Sequence, residues 1–377
     1  MITVLLVLLG LIGGAPCVQD DESAPRCIQC KQVGLLPCGE HRGLDLELEH
    51  DVLYCSYVAG CETCGGTGFV DCDRCENHAA EKRDAEKRAA LGKVEEGLKP
   101  LDEAMKRELR KAESEHFVLV WEIDDLKVGR KRLDAHELLH LYLARMEELY
   151  DAYTTTFGVQ EPEFKQKFKL FVWSFLPDHL EASKVFCGSS AEKGVKMMGA
   201  NPAYSVAGIK RFFKGDEELH RNLVHSATHL LTSHQRPSYW VGQTKGGWAD
   251  EGVSHWFEDK FFGVCDNYCY QEVNTTANFK GGKWRPAVRK LVASDDAAPA
   301  ASVMQKNTTI LTPAEHALAF SYVDFLIAKD AAKMNTLFQR LRSKVELRDA
   351  LQETFGWNVL QFEAAWKAWV LETYPTR

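Results

Sequence analysis

Two short stretches of this 377-residue chain each place a pair of histidines four residues apart, which puts both imidazoles on one face of a helix. One is LVHSATHLLTSH, which contains His225 and His229, and the other is HELLH, which begins at His136. Two imidazoles one helical turn apart can form half of a zinc site. The stretches differ at the residue after the first histidine, which is Ser226 in one and Glu137 in the other. A carboxylate at that place can act as a general base, whereas a hydroxyl cannot.

The stretch with His225 and His229 lies in an uncharged region. Residues 222–235 contain no Asp, Glu, Lys or Arg, and a helix that is apolar on nearly all sides belongs inside a domain. Buried imidazoles need polar partners, since an unsatisfied polar group in the core is costly.

The HELLH stretch has the pattern of a surface helix. Charged residues surround it, and its apolar side chains form a single stripe. The stripe consists of Leu139, Leu143, Met146 and Tyr150. His136 and His140 fall on the polar side, so we expect them to face solvent with no third ligand nearby. The metal site is therefore predicted at His225 and His229.

A third ligand is available on the next predicted helix, GGWADEGVSHWFEDKF. This stretch resembles the second signature of the gluzincin metallopeptidases, an aromatic-x-Asn-Glu-Gly pattern whose glutamate completes a His/His/Glu zinc site. Trp248, Glu251 and Gly252 match the pattern, while Asp250 replaces the usual asparagine. The resemblance implies three zinc ligands in a zincin-like fold: His225, His229 and Glu251. The alternative is two core histidines with ordinary partners and an unrelated glutamate.

The residue after the first histidine bears on activity. In a working gluzincin a glutamate at this position takes a proton from zinc-bound water. Ser226 is neither basic enough nor long enough to do so, so we expect no efficient peptidase and predict no catalytic residue. Rescue by Glu217 or Glu258 is conceivable, although the spacing does not support it. Tyr322 is a candidate for the transition-state-stabilising tyrosine of this group, with an ordinary core position as the favoured alternative.

Cysteine is concentrated near the start of the chain, where residues 17–75 contain nine of the 12 cysteines. Two segments, CIQCKQVGLLPCGEH and CETCGGTGFVDCDRC, share one spacing: a CxxC pair, seven residues, and a second pair. Thiolate and imidazole pairs at this spacing suit tetrahedral zinc. The predicted ligands are Cys27, Cys30, Cys38, His41, Cys61, Cys64, Cys72 and Cys75. Disulfides are the alternative, which an exported location would favour.

The cysteine-rich region resembles the DnaJ-type zinc finger, whose repeats read CxxCxGxG. The second segment matches well, while the first has lost most of the glycines and has His41 in place of a cysteine. The resemblance covers roughly 50 residues. It implies either binding of non-native polypeptide or a structural clip, and hence a polypeptide partner.

The remaining pattern predicts how the chain is organised. Residues 1–16 have the length and composition of a signal peptide, with an uncleaved membrane anchor as the alternative and no membrane span after them. We predict a zinc-binding module at 17–77, a charged helical linker at 78–114 that breaks near Pro100, and a gluzincin-like domain at 115–377. The fold class of that domain is α+β, with strands in HFVLVWEI, KFKLFVWSF and AYSVAGIKRFF.

These expectations combine into a predicted function. The net charge of −8 argues against a nucleic-acid partner, because no dominant basic face can form. We expect an exported protein, secreted or periplasmic, that is a catalytically degenerate gluzincin-like zinc protein and binds polypeptide. The alternative is an active zinc metallopeptidase with an unconventional general base, or with His136, Glu137 and His140 as its motif.

Overall fold

A computed structural model describes most of the chain from residue 27 onwards. The described residues are 27–30, 34–39, 57–58, 62–64, 69–74, 78–159, 164, 166–198, 201–208, 212–235, 240–243, 245–268 and 279–377. The predicted signal peptide and three of the predicted zinc ligands, His41, Cys61 and Cys75, lie outside them. Within these ranges, no helix is both long enough and apolar enough to cross a membrane.

The strands of the described chain all precede α4, interspersed with three helices, and helices alone follow. The strands are β1 (Leu35–Pro37), β2 (Tyr57–Val58), β3 (Phe69–Asp71), β4 (Lys111–Glu113), β5 (Phe117–Glu122), β6 (Asp125–Val128), β7 (Lys131–Asp134), β8 (Phe168–Trp173), β9 (Gly194–Met197) and β10 (Ala203–Ala207). The helices are α1 (His78–Met105), α2 (Ala135–Phe157), α3 (Leu176–Cys187), α4 (Asp216–His234), α5 (Gly247–Phe262), α6 (Trp284–Ala293), α7 (Ala300–Val303), α8 (Pro313–Arg342), α9 (Leu347–Phe355) and α10 (Val359–Thr373). This content confirms the α+β class and the three predicted strands.

The main sheet has six strands in the order β2-β4-β5-β8-β10-β9. Its centre, β5, β8 and β10, is parallel, and the outer strands pair antiparallel. The central strands are apolar nearly throughout because both faces of the sheet are covered. Leu119 and Leu170 belong to the core shared with α2 and α4. Val120 and Phe171 point to the opposite face, where they pack with residues of α1 and α3.

Helix α1 departs from the predicted linker. The expected break near Pro100 is wrong, because the helix continues through that proline to Met105. Leu98 and Leu101 are buried in the core on the second face of the sheet, and this packing holds the end of the helix in place. The second half of the segment is therefore part of the packed structure.

Helices α5 and α8 pack closely, and a glycine permits the approach. A Cβ atom at Gly252 would lie 2.6 Å from the carbonyl oxygen of Ala319 on α8, which is too short for a carbon–oxygen contact. The glycine that follows Glu251 therefore brings that carboxylate close to α8. Tyr322, on the same helix, is buried with its ring against Trp366 and Phe362, as expected of a core residue.

Candidate metal centre

The structure brings together three of the predicted metal ligands, His225, His229 and Glu251. The Nε2 atoms of His225 and His229 lie 3.2 Å apart. Glu251, from α5, places its Oε2 atom 3.6 Å from the first Nε2 and its Oε1 atom 3.7 Å from the second. All three side chains are buried, and they form a donor set that can hold a metal ion. Ligand atoms around tetrahedral zinc with bonds of about 2.0–2.1 Å are separated by about 3.3 Å, close to these distances.

Each of the two histidines also has a carboxylate close to its other ring nitrogen, Nδ1. Glu258 Oε2 lies 3.2 Å from Nδ1 of His225, and Asp250 Oδ2 lies 3.0 Å from Nδ1 of His229. A carboxylate at Nδ1 favours the tautomer that carries its proton there, so both Nε2 lone pairs face Glu251. Lone pairs of two imidazoles and one carboxylate then converge on one point. A cation at that point would satisfy all three groups.

The electrostatic environment favours the metal-binding forms of His225 and Glu251. Burial lowers the pKa of His225 to about 3, despite the opposing effect of Glu258, so the imidazole is neutral near pH 7. Burial alone would raise the pKa of Glu251, but the imidazoles of His229 and His316 outweigh it and hold this pKa well below its usual range. A neutral His225 imidazole and an ionised Glu251 carboxylate are the forms that bind a metal ion.

Neither carboxylate considered as a replacement base is suitably placed. Glu258 is fully buried, and its Oε1 accepts hydrogen bonds from the amide of Asp266 at 2.8 Å and the side chain of Asn267 at 2.8 Å. Its pKa is held well below the usual range, because burial raises it less than the hydrogen bonds with His225 and His255 lower it. The Glu217 side chain is 76% exposed and pairs with Arg221. Glu258 therefore orients the imidazoles that contact it, and Glu217 belongs to the surface.

Two further histidines in the cluster were not predicted. His255 Nε2 lies 3.4 Å from Glu251 Oε2, and His316 Nδ1 lies 3.3 Å from the same oxygen. Both imidazoles are fully buried. The sequence held a signal for His255, which lies one helical turn after Glu251 on α5. It held none for His316, which α8 supplies from a distant part of the chain.

The HELLH stretch differs in part from the prediction. The expectation that His140 faces solvent is wrong, because this side chain is only 3% exposed, while His136 is half-buried. The buried face of α2 is broad, because the helix packs against both the sheet and α4. Glu137 forms a capping box with Asp134, in which each side chain accepts a hydrogen bond from the other residue's backbone amide. Among the described residues, no cluster of metal donors includes any residue of this stretch.

The described part of the cysteine-rich region also forms a donor set. The sulfurs of Cys27, Cys30 and Cys72 lie within 4.8 Å of one another. The Cys27 and Cys72 sulfurs are 3.8 Å apart, far beyond the about 2.05 Å of a disulfide bond. The observed separation is close to the distance of about 3.8 Å expected between two thiolates bound to the same tetrahedral zinc ion. Strands β1 and β3 pair antiparallel, and this pairing places the first cysteine-rich segment next to the second. Cys38 and Cys64 are buried together in a small cluster of their own.

A narrow opening leads to the donor set formed by His225, His229 and Glu251. It has a volume of about 20 Å³, room for about one water molecule. Its wall includes the edge strand β9 at Gly194 and Lys196, the helix residues His225 and Ser226, and Tyr268. A molecule in this opening would meet the first histidine and the serine together.

No protein-family model and no curated protein matches this chain. The fold and the geometry of the two donor sets are therefore the basis for inferring its function.

Proposed function

We propose that this protein is a catalytically degenerate, gluzincin-like zinc protein that binds polypeptide without cleaving it efficiently. The observation that carries the proposal is the convergence of His225, His229 and Glu251 in a buried site where Ser226 occupies the place of a general base. In this interpretation, the HELLH stretch supports the fold and binds no metal.

The donor set favours zinc. Two imidazole nitrogens and one carboxylate oxygen are the ligands of many zinc sites that leave a fourth position open. Ions that prefer all-oxygen sites, such as Mg²⁺ or Ca²⁺, fit two imidazoles poorly. A zinc ion held here would supply Lewis acidity at the bottom of the narrow opening.

The nearby carboxylates support the absence of a general base. Glu251 points at the metal position, while Asp250 accepts from the Trp240 indole at 2.9 Å and faces His229. Glu258 is held by its own hydrogen bonds. General acid–base catalysis typically contributes about 100- to 10,000-fold, so a centre without it keeps binding and loses most of the rate.

The edge strand β9 supports a polypeptide ligand. In the described part of the chain, this strand is the last of the main sheet and pairs with β10 alone. An extended peptide can add to such an edge through main-chain hydrogen bonds, and this edge passes the opening that contains His225 and Ser226. The cysteine-rich module, with its DnaJ-type spacing, is the second polypeptide-binding element in the proposal. The proposal also includes export of the protein, directed by the signal peptide at residues 1–16.

The proposal is tested with zinc-loaded full-length protein. Fluorescently labelled, unfolded casein should bind, as measured by anisotropy, while casein and a quenched peptide library should show no chelator-sensitive cleavage. Lack of binding would remove the polypeptide part of the proposal. Rapid cleavage that stops with chelator would favour the alternative of an active metallopeptidase.

A further inference from the structure

The buried cluster contains more metal donors than one zinc ion can use. Beside the set formed by His225, His229 and Glu251, a second set consists of His255, His316 and the same Glu251. Nitrogen and oxygen donors in each set lie within 4.8 Å of one another. The shared glutamate has two oxygens, so it can serve one ion with each.

The distances in the second set fit a metal ion as well as those in the first. His255 Nε2 lies 2.9 Å from His316 Nδ1, and Glu251 Oε2 lies 3.4 and 3.3 Å from these two nitrogens. The three atoms form a nearly equilateral triangle. Its edges are close to the about 3.3 Å expected between ligands of tetrahedral zinc.

The surroundings of Glu251 give an independent reason to expect a second ion. This side chain is 0% exposed, and neither of its oxygens accepts a well-formed hydrogen bond from the described residues. A buried carboxylate without donors is strongly destabilising unless a cation is nearby. If an ion held by His225 and His229 takes Oε1, the oxygen 3.7 Å from His229 Nε2, then Oε2 is left facing His255 and His316. A second ion beside Oε2 would satisfy it.

The orientation of His255 agrees with this role. Its Nδ1 lies 3.2 Å from Glu258 Oε2, the same oxygen that faces Nδ1 of His225. One carboxylate therefore fixes the tautomer of a histidine in each set, with both Nε2 lone pairs directed towards Glu251. Such shared orientation is expected when two ions lie side by side.

We propose that the centre binds two zinc ions, one held by His225, His229 and Glu251 and one by Glu251, His255 and His316, with Glu251 as the bridging ligand. This inference rests on the proposed function, because it assumes that the first set binds zinc.

Crystals of the full chain grown with zinc provide the direct test. Anomalous difference maps recorded above and below the zinc absorption edge should show two peaks flanking Glu251, about 3.5–4 Å apart. A single peak between His225 and His229, with His255 and His316 in direct hydrogen-bond contact, would overturn the second site and leave the proposed function intact. No peak at either set would contradict both.

Metal counting provides a second test in solution. His316→Gln should lose one zinc ion per chain, His225→Gln combined with His229→Gln should lose one, and all three substitutions together should lose two. His136→Gln, which alters a histidine outside the cluster, should lose none. Circular dichroism identifies variants that remain folded. If the triple variant of a folded protein loses only one ion, a single shared ion explains the cluster and the two-ion proposal is wrong.

Discussion

Helices α2 and α4 carry histidine pairs at the same spacing, yet only the pair on α4 joins a set of metal donors among the described residues. The difference lies in what faces each pair. On α4, the second helix α5 supplies Glu251 as a third donor and Asp250 and Glu258 as orienting groups. On α2, the glutamate within the motif caps its own helix. A motif of this kind acquires chemistry only through the residues that the fold places opposite it.

Helix α2 has a structural role that serves α4. Asp216, in the first turn of α4, accepts hydrogen bonds from Tyr142 at 2.8 Å and from Arg145 at 2.6 and 2.9 Å. A negative charge at a helix N-terminus also stabilises the helix. The α2 residues therefore anchor the start of the helix that carries His225 and His229.

The largest expected effect comes from restoring the missing base. Ser226→Glu places a carboxylate beside the proposed metal and should increase peptide cleavage by about 100-fold or more. Ser226→Gln has nearly the same size without the basicity, so it should stay inactive. The measurement is cleavage of a quenched peptide library with zinc supplied and zinc occupancy determined. Equal activity in the two variants would show that the gain does not come from a general base.

A smaller effect is expected when the orienting carboxylate is neutralised. Glu258→Gln should weaken zinc affinity by about 10- to 100-fold, because an outer group that fixes a ligand tautomer contributes about that much. The control is Glu147→Gln. Glu147 lies on α2, outside the metal cluster, and its carboxylate is 2.6 Å from the imidazole of His116. Competition with a chromophoric chelator measures both affinities. A similar loss in the two variants would contradict the orienting role of Glu258.

The contact between α2 and α4 gives the stability of the metal-free protein a pH dependence. Burial, reinforced by Arg145, lowers the pKa of His220 on α4 to about 3, compared with about 6.5 in an unfolded chain. Above about pH 6.5 neither state is protonated there, and below it the unfolded state binds more protons. The free energy of unfolding should therefore fall as the pH falls from about 6.5 towards 3.

His220→Gln tests this dependence. The substitution should reduce the slope of unfolding free energy against pH over the same interval, as measured by urea denaturation. An unchanged slope would mean that other buried groups account for the effect.

The smallest effect is expected on α2. Glu137→Gln keeps an oxygen that can accept from the amide of Asp134, so it should change stability by less than about 1 kcal/mol, the usual size of a helix cap. Zinc content should remain at the wild-type value. A loss of zinc in this variant would assign the HELLH stretch a role that its surroundings do not indicate.

The sequence predicted the parts of the centre that depend on local pattern. An uncharged run marked α4 as buried, and the glutamate–glycine pair on α5 marked Glu251. His316 could not be predicted, because α8 brings it to the cluster through packing across Gly252. The burial of His140 was missed because the apolar stripe defines one face of α2, whereas this helix contacts both the sheet and α4. The sequence predicts a break at Pro100 because proline has a low helix propensity. That propensity does not include the burial of Leu98 and Leu101, which holds the helix together in the structure.

Zinc content of the full chain and of two variants tests the central claim most directly, because it compares the two histidine pairs. Mass spectrometry of the elements should show that His225→Gln combined with His229→Gln loses at least one zinc ion per chain, while His136→Gln loses none. Loss of zinc from the His136→Gln variant, with full zinc content in the other, would contradict the account of both helices.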